Sequence, residues 1–160
     1  MREPVFSGTL QVSLVVPDLE AAMRTYVDDY GIGPWDVYEF NPGNVEGMHE
    51  RGRPVQRSWR LALAKVGEVQ WELVQPLDGK SVYAQFLAEH GPGVHHVGVA
   101  VRDYQGTIEE LAERGHEVLL GGTYNGVTFS YLSTDRDLGV VTEIFDGSPG
   151  EGQEPDSVYP

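Results

Sequence analysis

Apolar residues alternate with small or polar ones along residues 10–16 and again along residues 94–101, and each run leads into an apolar pattern of helical spacing. Residues 11–18, Gln-Val-Ser-Leu-Val-Val-Pro-Asp, resemble residues 96–103, His-Val-Gly-Val-Ala-Val-Arg-Asp, at a constant offset of 85. Behind Asp18, a predicted N-cap, Leu19, Met23, Tyr26 and Tyr30 recur at helical spacing, and Gly31 supplies the stop. Behind Asp103, Tyr104, Ile108, Leu111 and Ala112 do the same, with Gly115 as the stop. Strands are predicted over residues 60–65 and 69–74, joined at Gly67, and over 127–134 and 140–145, joined through 135–139. A further strand precedes each pair, near residues 36–40 and 117–120. The chain is therefore predicted to be an α+β protein built from two tandem βαβββ modules.

The modules are placed at residues 9–78 and 94–146, after an extension over 1–8. A Gly-, Pro- and charge-rich insertion is assigned to 41–56, and a linker to 79–93 whose helix, 81–90, ends at Gly91-Pro92-Gly93. Residues 147–160 lack apolar periodicity and add acids, so they are expected to form a flexible acidic tail or to drape over a partner.

Strand alternation sorts the first strand of each module into two faces. One carries Val12, Leu14 and Val16, repeated as Val97, Val99 and Val101; the other carries Gln11, Ser13 and Val15, repeated as His96, Gly98 and Ala100. The branched face packs on its helix, while the second, with small residues after one polar group, leaves a cleft. On the last strands Glu72 lies opposite Trp71 and Leu73, and Glu143 opposite Thr142 and Ile144. A carboxylate among apolar strand residues is costly to bury unless paired. By position in the repeat Gln11 matches His96 and Glu72 matches Glu143, so four groups able to bind a divalent cation occupy two pairs of equivalent places. His95 is read as structural, on the opposite face.

The charge changes the picture in one respect. Twenty-five acidic residues against 11 basic ones give a formal net charge of -14, which disfavours nucleic acid and anionic membrane surfaces as partners. There is no cysteine, so thiolate metal sites and cysteine nucleophiles are excluded. No apolar run approaches a signal peptide or membrane span, and the expected location is the cytoplasm. Against this acidic background Arg51, Arg53, Arg57 and Arg60 cluster within ten positions. They are read either as a solvated loop or as a cationic patch for an anionic ligand.

The double βαβββ pattern, Val-Val-Pro-Asp-Leu-Glu at 15–20, Glu-Leu-Val-Gln-Pro-Leu at 72–77 and Gly-Val-His-His-Val-Gly-Val-Ala-Val at 93–101 resemble the vicinal oxygen chelate superfamily of glyoxalases, bleomycin-resistance proteins and ring-cleaving dioxygenases. Residues 72–101 look most like methylmalonyl-CoA epimerase and related glyoxalase-like proteins. The resemblance implies a cup-shaped mixed sheet, a small-molecule substrate, a homodimer, and a divalent ion (Co, Zn, Mn or Mg) on Gln11, Glu72, His96 and Glu143. Gln11 departs from the histidine common in the family, and a single histidine argues against the two-histidine iron site of ring-cleaving dioxygenases. The second catalytic acid of the epimerases would fall near Gln56, where this chain has no carboxylate.

Such an ion stabilises the oxyanion formed when a proton leaves the carbon beside a carbonyl. The implied activity is that of an isomerase, epimerase or lyase acting through an enolate on a small oxygenated acid, acyl thioester or cyclic ketone, with Glu143 or Glu72 as base. Arg57 and Arg60 are expected to receive a carboxylate or the phosphates of coenzyme A, or else Trp35, Tyr38, Phe40 and Trp59 to line an apolar pocket for an aromatic or polyketide-like molecule. The other reading is a metal-free drug- or metabolite-binding protein in which the same four polar groups hydrogen-bond the ligand.

Overall fold

A computed structural model describes residue 1 and residues 3–160. The strands are β1 (Gly8–Val15), β2 (Trp35–Phe40), β3 (Val45–Glu50), β4 (Arg53–Pro54), β5 (Trp59–Val66), β6 (Val69–Pro76), β7 (Gly93–Ala100), β8 (Val118–Tyr124), β9 (Val127–Leu132), β10 (Val141–Asp146) and β11 (Ser157–Tyr159). The helices are α1 (Leu19–Tyr30), α2 (Val82–His90), α3 (Tyr104–Glu113) and α4 (Asp135–Leu138). All the strands join one curled sheet in the order β11-β2-β5-β6-β1-β7-β10-β9-β8-β3-β4. The chain has the α+β vicinal oxygen chelate fold. The order β2-β5-β6-β1 is mirrored by β8-β9-β10-β7, so the repeat in sequence becomes an approximate two-fold in space. Among the described residues no helix is long and apolar enough to cross a membrane.

The repeat is visible in backbone detail. Asp18 caps α1 at φ -144 and ψ 106 by accepting from the Ala21 N–H at 2.9 Å. Asp103 caps α3 at φ -138 and ψ 105 by accepting from the Gly106 N–H at 3.0 Å. Each cap satisfies an N–H that the first turn leaves without an intrahelical partner. Gly31 ends α1 in the left-handed region at φ 65, which a residue without Cβ adopts cheaply.

Helices α1 and α3 cover the convex face. Leu19 and Met23 pack with Trp35, Ala62, Ala64 and Leu73 in one cluster, and Leu111 packs with Val99, Leu132 and Ile144 in the other. The concave face holds a third cluster, dominated by Trp59, Tyr83, Phe129 and Tyr131, with Tyr83 delivered by α2.

Two segments carry structure beyond what the sequence pattern predicts. The insertion contains strands: β3 crosses to the far edge of the sheet and pairs with β8, Val45 opposite Tyr124. Val45 and Met48 are buried there, and Gly47, at φ 61, lies where the pairing with β8 shifts register, so simple alternation is hidden. Phe40, on the last residue of β2, stacks on Tyr124 with ring centroids 4.1 Å apart and brings the two rims together.

The acidic tail, expected to be flexible, carries β11, which pairs with the free edge of β2, Tyr159 opposite Trp35. Asp156 fastens it: its N–H donates to the Val37 carbonyl at 2.9 Å and its carboxylate accepts from the Glu39 N–H at 2.7 Å. Three residues are too few for a periodic signal, and the partner edge lies over a hundred residues away in sequence.

Candidate metal centre

The site forms where the modules meet, on the central strands β6, β1, β7 and β10. Register places its residues in two adjacent rows. In the first, Ser13 of β1 lies between Glu72 of β6 and His96 of β7. In the second, Gly98 of β7 lies between Gln11 of β1 and Glu143 of β10. Each row has a small residue at its middle, so the longer side chains can lean over it. A methyl group at Gly98 would meet the Cβ and Oε1 of Gln11 at 3.0 Å, which makes glycine the residue that lets Gln11 sit there.

Both central strands carry a bulge at the position before the candidate ligand. Pairing jumps from Thr9–Val99 to Gln11–Gly98, leaving Leu10 as the extra residue in β1. It jumps again from Ser13–His96 to Leu14–Val94, leaving His95 as the extra residue in β7. Positions 10 and 95 are equivalent at the offset of 85, so the fold uses the same device twice to aim Gln11 and His96 inward. The second bulge overturns one expectation. His95 does not sit across the sheet from His96: their Nδ1 atoms are 2.9 Å apart, and the His95 ring packs on Tyr83 and Phe86 of α2.

Gln11, Glu72, His96 and Glu143 are 4%, 5%, 0% and 5% exposed. One ligand atom each from Glu72, His96 and Glu143 lies within 4.8 Å of the others. His96 Nε2 is 3.2 Å from Glu72 Oε2 and 3.1 Å from Glu143 Oε2. These contacts are close but poorly directed as hydrogen bonds, for Glu72 Oε2, His96 Nε2, Ser13 Oγ and Gln11 Oε1 are all buried without a hydrogen-bond partner. The Gln11 amide is held by its other end, its Nε2 donating to Gln70 Oε1, so its oxygen is left free. Orphaned buried polar atoms are rare in proteins and ask for an explanation.

The electrostatics are equally unsettled without a cation. Burial, with the Glu72 charge adding to it, pushes the Glu143 carboxyl up to about 7 against the opposing pull of His96. Burial acts to lower His96, but its contacts with Glu143 and Glu72 outweigh that and raise it to about 9. Burial and the neighbouring imidazoles His96 and His90 lower His95 to about 3, so it stays neutral. Two carboxylates and a neutral imidazole carry a charge that a divalent cation would cancel. Neighbouring ligands ~2.0–2.2 Å from an ion sit roughly 2.8–3.6 Å from one another, from octahedral to tetrahedral geometry, and the two His96 contacts of 3.2 and 3.1 Å fall within that range. The donor set of carboxylate, imidazole and amide oxygen suits a hard or borderline divalent ion.

The site opens into a cleft, with Gln11, Glu72 and Glu143 at its base. Trp59 and Tyr38 line it. Trp35 does not: it is buried on the convex side, where its indole N–H donates to the Ile32 carbonyl at 2.8 Å, because β2 alternates and Tyr38 takes the opposite parity. The arginines do not line it either. Arg57 is clamped by Glu50 through two contacts of 3.0 Å, and Arg60, one residue out of phase with Trp59 on β5, turns to the helix side and pairs with Glu20 at 2.6 Å.

Several residues of the site escaped sequence reasoning. Gln70 had a signal, since it lies two residues before Glu72 and shares its face. Tyr131 stands opposite Glu143 on β9, its ring 4.5 Å from that of His96 and its hydroxyl 2.5 Å from that of Tyr83. Pro149, Gly150 and Gln153 reach the cleft only because β11 anchors the tail.

Residues 10–131 match the Glyoxalase/Bleomycin resistance protein/Dioxygenase superfamily. The chain belongs to this superfamily. No curated protein matches the sequence closely enough to add a relative. Among solved structures, a hypothetical protein from Bacillus halodurans C-125 is similar at 20% identity, covering 88% of this chain and 94% of its own, with a TM-score of 0.67. Methylmalonyl-CoA epimerase from Mycobacterium tuberculosis is similar at 24% identity, covering 93% of each chain, with a TM-score of 0.65. A variant of Streptomyces coelicolor methylmalonyl-CoA epimerase in complex with 2-nitronate-propionyl-CoA matches at 22% identity over 90% of this chain and 96% of its own, with a TM-score of 0.63. At these identities the likeness is one of fold.

Proposed function

We propose that the protein is a divalent-metal-dependent isomerase, epimerase or lyase that removes a proton beside a carbonyl of a small oxygenated substrate. The observation that carries this reading is the convergence of buried, unpartnered donor atoms from Glu72, His96 and Gln11, with Glu143 beside them. A protein that only hydrogen-bonds a ligand gains nothing from holding two carboxylates and an imidazole together in a buried place. In this reading Gln11, Glu72, His96 and Glu143 hold the ion. When bound, it would polarise a carbonyl oxygen and stabilise the charge that develops there.

The remaining work falls to side chains of this chain. A carboxylate oxygen of Glu143 or Glu72, both at the base of the cleft, takes the proton from carbon and can return it. Tyr131, packed against His96 and hydrogen-bonded to Tyr83, closes the inner wall and keeps water from the reacting carbon. His95 fixes the tautomer of His96. If Nε2 faces the ion, Nδ1 carries the proton and donates to the neutral Nδ1 of His95 at 2.9 Å. His95→Phe keeps the ring against Tyr83 and Phe86 but removes that acceptor, and metal affinity is expected to fall ~10–100-fold, as for other lost outer partners. Calorimetric titration of the variant checks this; unchanged affinity would remove His95 from the account.

Solvent exchange tests the reaction class. Metal-loaded protein in deuterium oxide is expected to incorporate deuterium beside the carbonyl of at least one of methylmalonyl-CoA, 2-hydroxycyclohexanone and 2-hydroxy-1-indanone. Rates equal to those of free metal in buffer for all three would reject proton abstraction at this site.

A further inference from the structure

We propose that the cup selects an uncharged, ring-bearing molecule with adjacent oxygens, such as an aromatic α-hydroxyketone, and rejects acyl-coenzyme A. This rests on the metal-site reading above for the oxygens at the base of the cleft, and on independent observations for the rest of the ligand.

The first observation is the lining. Above Glu72 and Glu143 the walls are formed by Tyr38, Phe40, Trp59, Tyr124, Phe129 and Phe145. Phe40 lies nearly parallel to both of its neighbours, 5.2 Å from Trp59 at an interplanar angle of 19° and 4.1 Å from Tyr124 at 29°. Phe129 meets Trp59 edge-on, at 6.4 Å and 87°. Ring faces and edges at these angles suit a flat guest, which can stack on one ring and meet the edge of another. A flexible acyl chain would use little of that geometry.

The second observation is the missing counter-charge. Among the described residues no lysine or arginine lines the cleft. The two arginines nearest in sequence to its walls are committed elsewhere, Arg57 to Glu50 and Arg60 to Glu20 on the convex side. A thioester seated at the base must lead its phosphates out through the mouth, past Pro149, Gly150 and Gln153 of the tail. That tail carries Glu151, Glu154 and Asp156, and Asp156 lies close enough to the Tyr38 and Tyr124 hydroxyls to add to the effect of burial in raising both. Phosphates arriving there meet acids, on a protein whose net charge is already -14. The fold neighbours crystallised with coenzyme A esters therefore do not predict this chain's ligand.

The third observation is the tail itself. Its backbone is tied down by β11 and by the Tyr38 hydroxyl, which donates to the Gln153 carbonyl at 3.4 Å. The mouth is thus narrowed by ordered chain, which fits a compact guest better than one with a long trailing group.

Binding of two probes at equilibrium tests the proposal, with 2-hydroxy-1-indanone and propionyl-CoA each titrated into Zn²⁺-loaded and metal-free protein and followed by calorimetry and tryptophan fluorescence. The indanone is expected to saturate one site and to bind at least 10-fold tighter than propionyl-CoA. Phe40→Leu and Tyr124→Leu, at half-buried and buried wall positions, are expected to weaken the indanone at least 5-fold while leaving Zn²⁺ affinity within 2-fold. Propionyl-CoA binding as tightly as the indanone, or indanone affinity unmoved by both leucine variants, would overturn the proposal. The Zn²⁺ titration of the same samples reports on the metal site separately, so failure of that reading is distinguishable from failure of this one.

Discussion

Glu143→Gln and Glu72→Gln are each expected to reduce deuterium exchange on an accepted substrate by at least ~10²-fold, within the ~10²–10⁴ typical of a lost general base. Glutamine preserves the volume of each side chain, so the cleft and the packing around Tyr131 should survive. What changes is charge and proton affinity. Removing one carboxylate leaves His96 paired with a single acid and lowers the negative charge available to a divalent ion. Metal affinity should therefore fall in both variants. Measurement at saturating metal separates the two effects: the carboxylate that moves the proton stays impaired there, whereas one that only holds the ion regains much of its rate. Near-normal exchange in both variants would refute the roles given to both residues.

The second large effect is on stability, and its sign depends on metal. In the metal-free protein burial acts to lower His96, yet its two carboxylate neighbours raise it from 6.5 to about 9. The folded state thus holds a proton that the unfolded state has released. Stability from this source is fully present below pH 6.5 and is lost as pH rises through 9. Glu143, raised by burial from 4.5 to about 7, acts in the same direction over a lower interval, complete by about pH 7. Buried neutral His95, lowered to about 3, works the opposite way, but only below 6.5. Between pH 7 and 9 His96 therefore dominates. One extra proton held by the folded state is worth ~1.4 kcal/mol for each pH unit crossed, so metal-free protein is expected to lose on the order of 1–3 kcal/mol over this range. A bound cation requires the deprotonated ligands, so its stabilisation should grow across the same interval. Thermal unfolding at pH 7, 8 and 9, with and without Zn²⁺, reads both slopes. A metal-free midpoint that stays flat or rises over that range would contradict the environment assigned to His96.

The parts of this molecule that could be read from sequence are those governed by local rules applied twice. Asp18 and Asp103 cap their helices within a few degrees of one another, and the alternation that pairs Gln11 with His96 survives into the structure because the bulges before them fall at equivalent positions. The same bulges explain an error. Strict alternation places His95 on the far face, and only the extra residue in β7 brings its ring beside His96. Arg57 and Arg60 looked available because their partners, Glu50 and Glu20, are brought to them by a hairpin and a helix that no spacing rule connects. Trp35 and Tyr38 both belong to β2, yet opposite parity sends one to the helix layer and the other to the cleft. The tail escaped for a related reason: three residues acquire structure only from the edge of β2.

The central claim is that four residues drawn from both modules hold one divalent ion. Its most direct test is metal titration of protein stripped with chelator and returned to pH 7.5, followed by calorimetry with Zn²⁺, Mn²⁺ and Co²⁺ and by elemental analysis after dialysis. The account predicts one ion per chain for at least one of these metals, with release of protons from His96 and Glu143, and loss of that site in His96→Ala. No saturable binding near one ion per chain, or binding that His96→Ala leaves intact, would contradict it.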